Sequence, residues 1–414
     1  MGIESKLNSY LNRLPVVKKT VKRLYQIGMY TVSPKIKSEG DIEKISPDDG
    51  MEYFFGYYDK SPWDATDRYM LCLRVKKTYS SVAPQEPAEI ILFDTHDNNS
   101  YRVLGKTRTW NVQQGCMLQW LGPNYSEKII YNDFRNNEYC SVILNLLTNE
   151  EKIISMPVYS VSSNGDSALT LDFSRLHRLR PGYGYSNLPD INKGTNCPDQ
   201  ACIWHVNLIN GKITPILKYT DFFNFETRPE MEGAEHKVNH IMLSPSGERV
   251  MVLHRWIQGS NKYTRLVTFN SDGTEMYNLS DDNMTSHCYW KNNNEIIAYA
   301  HKKTEGNGYY LMKDKTNQFQ QKWPELTADG HPSFSSIHNM FVTDTYPDRA
   351  RVASIYIIGS EDEVNKVARV FAPFKYDNDV RCDLHPRWNR EGNKICFDSV
   401  FEGKRGLYTL DINN

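Results

Sequence analysis

The chain has 414 residues, of which 39% are hydrophobic, 24% charged and 12% aromatic, with 49 Lys+Arg against 50 Asp+Glu. A net charge of −1 excludes the global positive field that nucleic-acid binding would use, and no stretch approaches the roughly 18 apolar residues of a membrane-spanning helix. The eight cysteines (72, 116, 140, 197, 202, 288, 382, 396) form no paired framework and read as reduced thiols, one or two of them available to a metal.

The first element is a basic arm. Residues 5–30 carry Lys6, Arg13, Lys18, Lys19, Lys22 and Arg23 and no acid. Leu7, Tyr10, Leu11 and Leu14 share one helical face, Val17, Val21, Leu24 and Tyr25 another, and Pro15 separates the two pieces. Such a helix either lies on an anionic membrane surface or a membrane-enzyme partner, or packs on the side of the domain behind it. Residues 31–50 read as a polar linker, so the expected division is an arm and linker over 1–48 and one domain over 49–414. With no secretory signal in the N-terminal residues, the expected location is cytoplasmic, with peripheral contact at the inner membrane surface through the arm.

From there one pattern repeats every 40–60 residues or so: a segment ending near Ser-Pro or Trp, a turn, then a strongly apolar strand. Seven copies begin at 57–75, 117–133, 159–173, 240–256, 287–301, 331–346 and 385–399. Each turn holds Gly, Asn, Asp or Ser, and runs such as VMVL and KICFD have the length and β-formers of strands. One such unit cannot bury both faces of its sheet, whereas seven arranged radially can. The expected fold is therefore all-β: a seven-bladed β-propeller behind a short helical arm. The irregular first two copies leave six or eight blades open. Twenty-six Tyr and eight Trp suit stacking on sugar rings and equally suit a β-rich core.

Four of the eleven histidines occupy one place in consecutive repeats: His240, His287, His331 and His385. Seven residues on from each lies its turn, at Gly247, Asn294, His338 and Gly392. Innermost strands line a propeller's channel, so these imidazoles should meet at the axis and hold a divalent metal. Cys382, three residues before His385, offers a thiolate and favours zinc over manganese. In the third copy the same place falls to Tyr159, or to Val158 if the turn is one residue shorter. Arg175 follows sixteen residues after Tyr159, and Arg178, Arg180, Tyr183 and Tyr185 crowd the segment after it. Arginine forks there suit carboxylates or sulfates. Arg255 and Trp256 form a similar pair in the fourth copy.

In order, the motifs Y-x-V-S-x-x-G (159–165), D-F-x-R-L (172–176), R-P-G-Y-G-Y (180–185), N-H-x-x-x-S-P-x-G (239–247), H-R-W (254–256), D-G-H-P-S (329–333), D-T-Y-P (344–347) and R-C-D-L-H-P-R-W-N-R-x-G (381–392) resemble the seven-bladed polysaccharide lyases. The likeness is nearer to ulvan lyases and more distant to oligogalacturonate lyases, and runs from about residue 50 to the C-terminus. It implies β-elimination on an acidic, uronate-containing glycan. Tyr159 would be acid/base, Arg175 would neutralise the carboxylate, and a zinc or manganese ion would sit on the histidines. The chain departs from the pattern at Gln114 and Asn132, in early blades where such lyases add histidines; both can hydrogen-bond a sugar, but neither is a base. That departure and the missing export signal keep open a non-catalytic glycan-binding or scaffold propeller, or a glycosyltransferase-associated one, in surface-polysaccharide biosynthesis.

Overall fold

The computed structural model describes residues 15–81, 83 and 86–412; Lys6, Leu7, Tyr10, Leu11, Arg13 and Leu14 of the expected arm lie outside them. Seven antiparallel sheets follow one another along the chain. Blades 1 to 5 are complete four-stranded meanders spanning 52–107, 119–154, 160–218, 235–280 and 285–322. Blades 6 (333–371) and 7 (387–411) take their outermost strands from the other end of the chain.

This is where the structure departs from the expected linker. Ser38–Glu39 adds a strand to blade 6 against Val364–Phe371, and Ile42–Lys44 completes blade 7 against Gly406–Asp411, with Ile42 opposite Leu410. The pieces are two and three residues long and mostly exposed, so no period-two apolar signal marks them. Together they close the ring.

Blades are held together by apolar layers between neighbouring sheets. Met251, Leu253 and Leu266 of blade 4, for example, pack on Cys288, Trp290, Ile296 and Ala298 of blade 5. A tryptophan ends the short innermost strand of blades 2, 5 and 7. Each donates its indole N–H to a backbone carbonyl one blade back: Trp120 to Pro62 at 2.9 Å, Trp290 to Met242 at 3.1 Å, Trp388 to Ser333 at 3.3 Å. The repeated "Trp after a short strand" in the sequence is thus an inter-blade tie, which satisfies the indole while burying its rings.

These ties fix the register. Counting back three from Trp120, Trp290 and Trp388 gives Met117, His287 and His385, and the equivalent positions of blades 3, 4 and 6 are Val158, His240 and His331. Val158, the shorter-turn alternative, therefore holds the third-blade place. Met117, His240 and His385 share a positive φ of 56°, 56° and 47°. In blade 4 this accompanies a register shift between Asn239 and Met242, a bulge that re-aims the side chain.

Two further elements matter. Helix α1 (Pro15–Val32) lies against the flank of blade 6, where Arg23 pairs with Asp377 at 3.0 Å and Tyr30 stacks on Phe371. Between the second and third strands of blade 3, residues 172–200 form an excursion opened by helix α2 (Phe173–Leu179), whose N-cap Asp172 accepts the backbone N–H of Arg175. Gly184 ends its return: at φ +69° any Cβ would lie 2.3 Å from the Phe173 carbonyl. No helix among the described residues is long and apolar enough to cross a membrane.

Candidate metal and glycan site

The four in-register histidines do gather in the channel. Ring centroids of His287 and His331 are 4.1 Å apart, those of His331 and His385 4.2 Å, and those of His240 and His287 5.6 Å. All four are buried. Within this ring, His331, His385 and Asp383 place one ligand atom each within 4.8 Å of one another. The Nε2 atoms of both histidines are buried without a hydrogen-bond partner. Their orientation is set from behind. Asp344 accepts from His331 Nδ1 at 2.8 Å, which fixes the tautomer that leaves Nε2 free to bind. Two imidazoles and a carboxylate form a donor set that suits Mn, Fe or Zn.

Protonation follows from burial and neighbours. Burial, then Arg255 and the other imidazoles, holds His240 well toward its neutral form, and burial does the same for His385. His331 is shifted upward: burial opposes its charge, but Asp344, with Asp383 and Asp329 behind it, outweighs this. Asp383 stays ionised; burial raises it, and the Arg381 fork on both its oxygens outweighs that.

Sequence reading missed the loop that fills the channel from blade 1. Tyr57 stacks parallel to His240, ring to ring at 5.3 Å, with its hydroxyl 2.7 Å from Nδ1. Tyr58 lies 5.4 Å from the His331 ring and hydrogen-bonds Cys288 O. No histidine marks this repeat, and the double tyrosine has no register partner elsewhere, so only the fold could reveal it. Asp344 and Asp383 were equally silent, although each stands within a quoted motif.

The cationic side of the site comes from blades 3 and 4. Arg180 lies over Tyr183, itself edge-on to His240. Lys237 and Arg255 face each other across the blade 4 ladder, a like-charge pairing that costs stability. Among the described residues Arg255 has no acid partner, and its Nε is buried unpaired. Burial and then Arg180 depress its pKa.

Other expected residues sit elsewhere or serve the scaffold. Arg175 is fully buried, and its guanidinium donates to the carbonyls of His236, Asn192, Thr195 and Asn196 and meets Asp190 at 3.5 Å. Nothing is left for a substrate carboxylate, and no hydrogen bond or ion pair joins it to Tyr159 among the described residues. Tyr159 does reach the channel. Its hydroxyl accepts from Gln114 Nε2 at 2.8 Å and from the His240 backbone N–H at 3.2 Å, while burial and Asp59 push its pKa up, away from phenolate. Trp256 is corrected by strand alternation: it opposes His236, on the other face from Arg255, and packs on Met231 and Ala234. Asn132 ties blade 2 to blade 3 by both its amide atoms on Val158, and Tyr185 accepts from the same amide while stacking on Phe173. Cys382 is outside the ligand group. Its thiol, pushed up to about 12 by burial, packs on Ala372, Tyr376 and Val400.

A cavity of about 360 Å³ opens at the turn end of the channel, lined by Gln119, Trp120, Trp388 and Arg390 and by the 2.7 Å Asp59–Lys60 ion pair. Tyr58 borders both this cavity and the imidazoles.

Neither protein-family models nor curated protein sequences match the chain. Solved structures do. An oligogalacturonate lyase in complex with manganese superposes with a TM-score of 0.65 at 16% identity, covering 92% of this chain and 96% of the other. A second oligogalacturonate lyase, from Vibrio parahaemolyticus, gives 0.61 at 12% identity over 90% and 94%. The chain has the seven-bladed fold of these lyases along nearly its whole length, and at such identities the likeness is one of fold.

Proposed function

We propose that this propeller is a divalent-metal-dependent, lyase-like enzyme that acts by β-elimination on a uronate-containing oligosaccharide. The observation that carries the reading is the pair of buried, partnerless Nε2 atoms of His331 and His385, converging with Asp383, while Arg255, without an acid partner among the described residues, acts on neighbouring His240. A buried polar atom left unpaired costs about 1–3 kcal/mol, so a ligand that engages both relieves a standing penalty. That oligogalacturonate lyase of the same fold was determined with manganese supports a cation here. Without Cys382, the thiolate that favoured zinc is gone, and manganese or iron fits the nitrogen–oxygen set as well.

In this reading Arg255 and Arg180 neutralise the uronate carboxylate, which acidifies the proton on C5. A bound cation would supply further charge withdrawal at the same carboxylate. Neutral His240 accepts the C5 proton, the C–H electron pair forms the C4–C5 double bond, and the C4–O4 bond breaks. The Tyr57 hydroxyl, already on His240, donates a proton to the departing O4. Tyr159 holds the His240 backbone and is a positioning residue, while Gln114 in turn holds Tyr159.

The test is incubation of manganese-loaded protein with galacturonate and ulvan-type oligomers, following the ultraviolet absorbance of an unsaturated uronate. A rise on either class supports turnover and tells the two likenesses apart. No rise on any uronate glycan, with the metal bound, overturns it. One observation favours a second reading, a glycan-binding propeller without turnover serving polysaccharide biosynthesis in the cytoplasm: the Tyr159–Arg175 partnership implied by the lyase resemblance is not formed. Calorimetric binding of uronate oligomers with no product would select it.

A further inference from the structure

The channel chemistry leaves helix α1 unexplained. An amphipathic helix on a globular domain turns its apolar stripe inward. Here the orientation is reversed. The face against blade 6 is polar and aromatic: Arg23 donates to Phe374 O at 3.2 Å and pairs with Asp377, Gln26 is buried, and Tyr30 lies on Phe371 and Phe374. Tyr25 accepts from Arg349 at the edge of this contact. The aliphatic residues pointing away are Val17, Val21, Leu24, Ile27 and Val32, exposed by 46%, 42%, 64%, 42% and 79%. Val17, Val21 and Leu24, with Gly28 continuing the row, make one stripe along the helix, and Ile27 flanks it. Exposed Lys22 stands beside it.

We infer that α1 docks on the surface of an anionic phospholipid bilayer, its outward Val17–Val21–Leu24 stripe entering the acyl boundary while Lys22 and the other lysines of the arm meet lipid phosphates. The charge distribution selects this occupant. Residues 5–30 hold six of the chain's 49 basic residues and no acid, so the remainder of the chain carries 43 basic against 50 acidic residues. The excess of positive charge therefore lies in residues 5–30, and Lys18, Lys19 and Lys22 share helix α1 with the apolar stripe, the combination an in-plane interfacial helix needs. A second copy of the chain is a poor occupant, because stripe-to-stripe packing would bring two such basic arms together with no acid between them. The polar contacts to blade 6 hold the helix as a fixed foot on the propeller's outer flank, so the channel is presented at one orientation to the membrane.

The experiment is co-sedimentation of the full-length protein with vesicles of phosphatidylcholine alone and with added phosphatidylglycerol. Binding should appear only with the anionic vesicles and weaken with added salt. Lys22→Gln should lower partitioning roughly fivefold, the effect of one basic residue near an anionic surface. The double substitution Val21→Asp with Leu24→Asp should lower it more than tenfold, with an unchanged melting temperature because both side chains already face solvent. Three results overturn the inference: no sedimentation with anionic vesicles, binding unaffected by the double substitution, or a dimer in solution that the double substitution dissolves. None of these readouts depends on activity, so failure here leaves the proposed lyase chemistry standing, and the converse.

Discussion

Asp344 holds His331 at two points, taking its ring Nδ1–H at 2.8 Å and its backbone N–H at 2.7 Å, and its second oxygen takes the backbone N–H of His385 at 3.1 Å. One carboxylate thus fixes both nitrogen ligands of the candidate metal group. Asp344→Asn should weaken manganese or zinc binding about 10- to 100-fold, as measured by calorimetry. Unchanged affinity would mean that the ligands are held by something other than Asp344.

The ligand assignment makes a sharper forecast. His331→Ala combined with His385→Ala should abolish bound metal in elemental analysis of the purified protein. His287→Ala should retain it, because that ring hydrogen-bonds Asp329 and lies outside the compact group. Equal loss in both variants would extend the site to all four imidazoles.

Arg255 and Arg175 separate binding from scaffolding. Arg255→Gln should leave the melting temperature unchanged or raise it, since it removes one of two facing cations, while lowering affinity for uronate oligomers at least tenfold. Arg175→Gln should destabilise the fold by about 3–5 kcal/mol, because several buried carbonyls lose their donor. Denaturant unfolding and ligand titration of the two variants read these opposite outcomes.

A histidine pair outside the channel predicts the acid limb of stability. Arg265 donates to His254 Nδ1 at 3.1 Å, His254 Nε2 faces His236 Nδ1 at 2.9 Å, and His236 Nε2 faces Met231 O at 3.2 Å. The chain of bonds is satisfied only when both rings are neutral. Burial lowers His236 to about 4 and His254 well below its ordinary value. Below the unfolded value of about 6.5 the unfolded chain therefore binds protons that the folded one refuses. Stability is full above that pH and declines as pH falls toward 4, by up to about 1.4 kcal/mol per unit for each ring. His236→Gln, which can accept from His254 and donate to Met231 O, should flatten the decline in melting temperature between pH 6.5 and 4.

The blade count and the histidine register were legible in the sequence because both rest on repetition: a turn, a strand and a tryptophan recurring at fixed distance. What was illegible lacks a repeat. Tyr57 and Tyr58 stand where no other blade has a counterpart, and Asp344 works across blades, holding a histidine forty-one residues away. Arg255 and Trp256 looked like a pair because they are adjacent, yet a strand sends neighbours to opposite faces. Arg175 looked available because arginine-rich segments are commonly exposed, and only the excursion of 172–200, folding its carbonyls around the guanidinium, shows otherwise.

The pairing of Ile42–Lys44 with Gly406–Asp411 has a consequence for synthesis. During translation the early strand emerges with an open edge and no partner, and six blades are built before residue 410 leaves the ribosome. Contacts of such separation form late and leave an unpaired edge exposed meanwhile. The brevity and charge of the 38–44 segment (SEGDIEK) then serve a second purpose, keeping the waiting edge from pairing with another nascent chain.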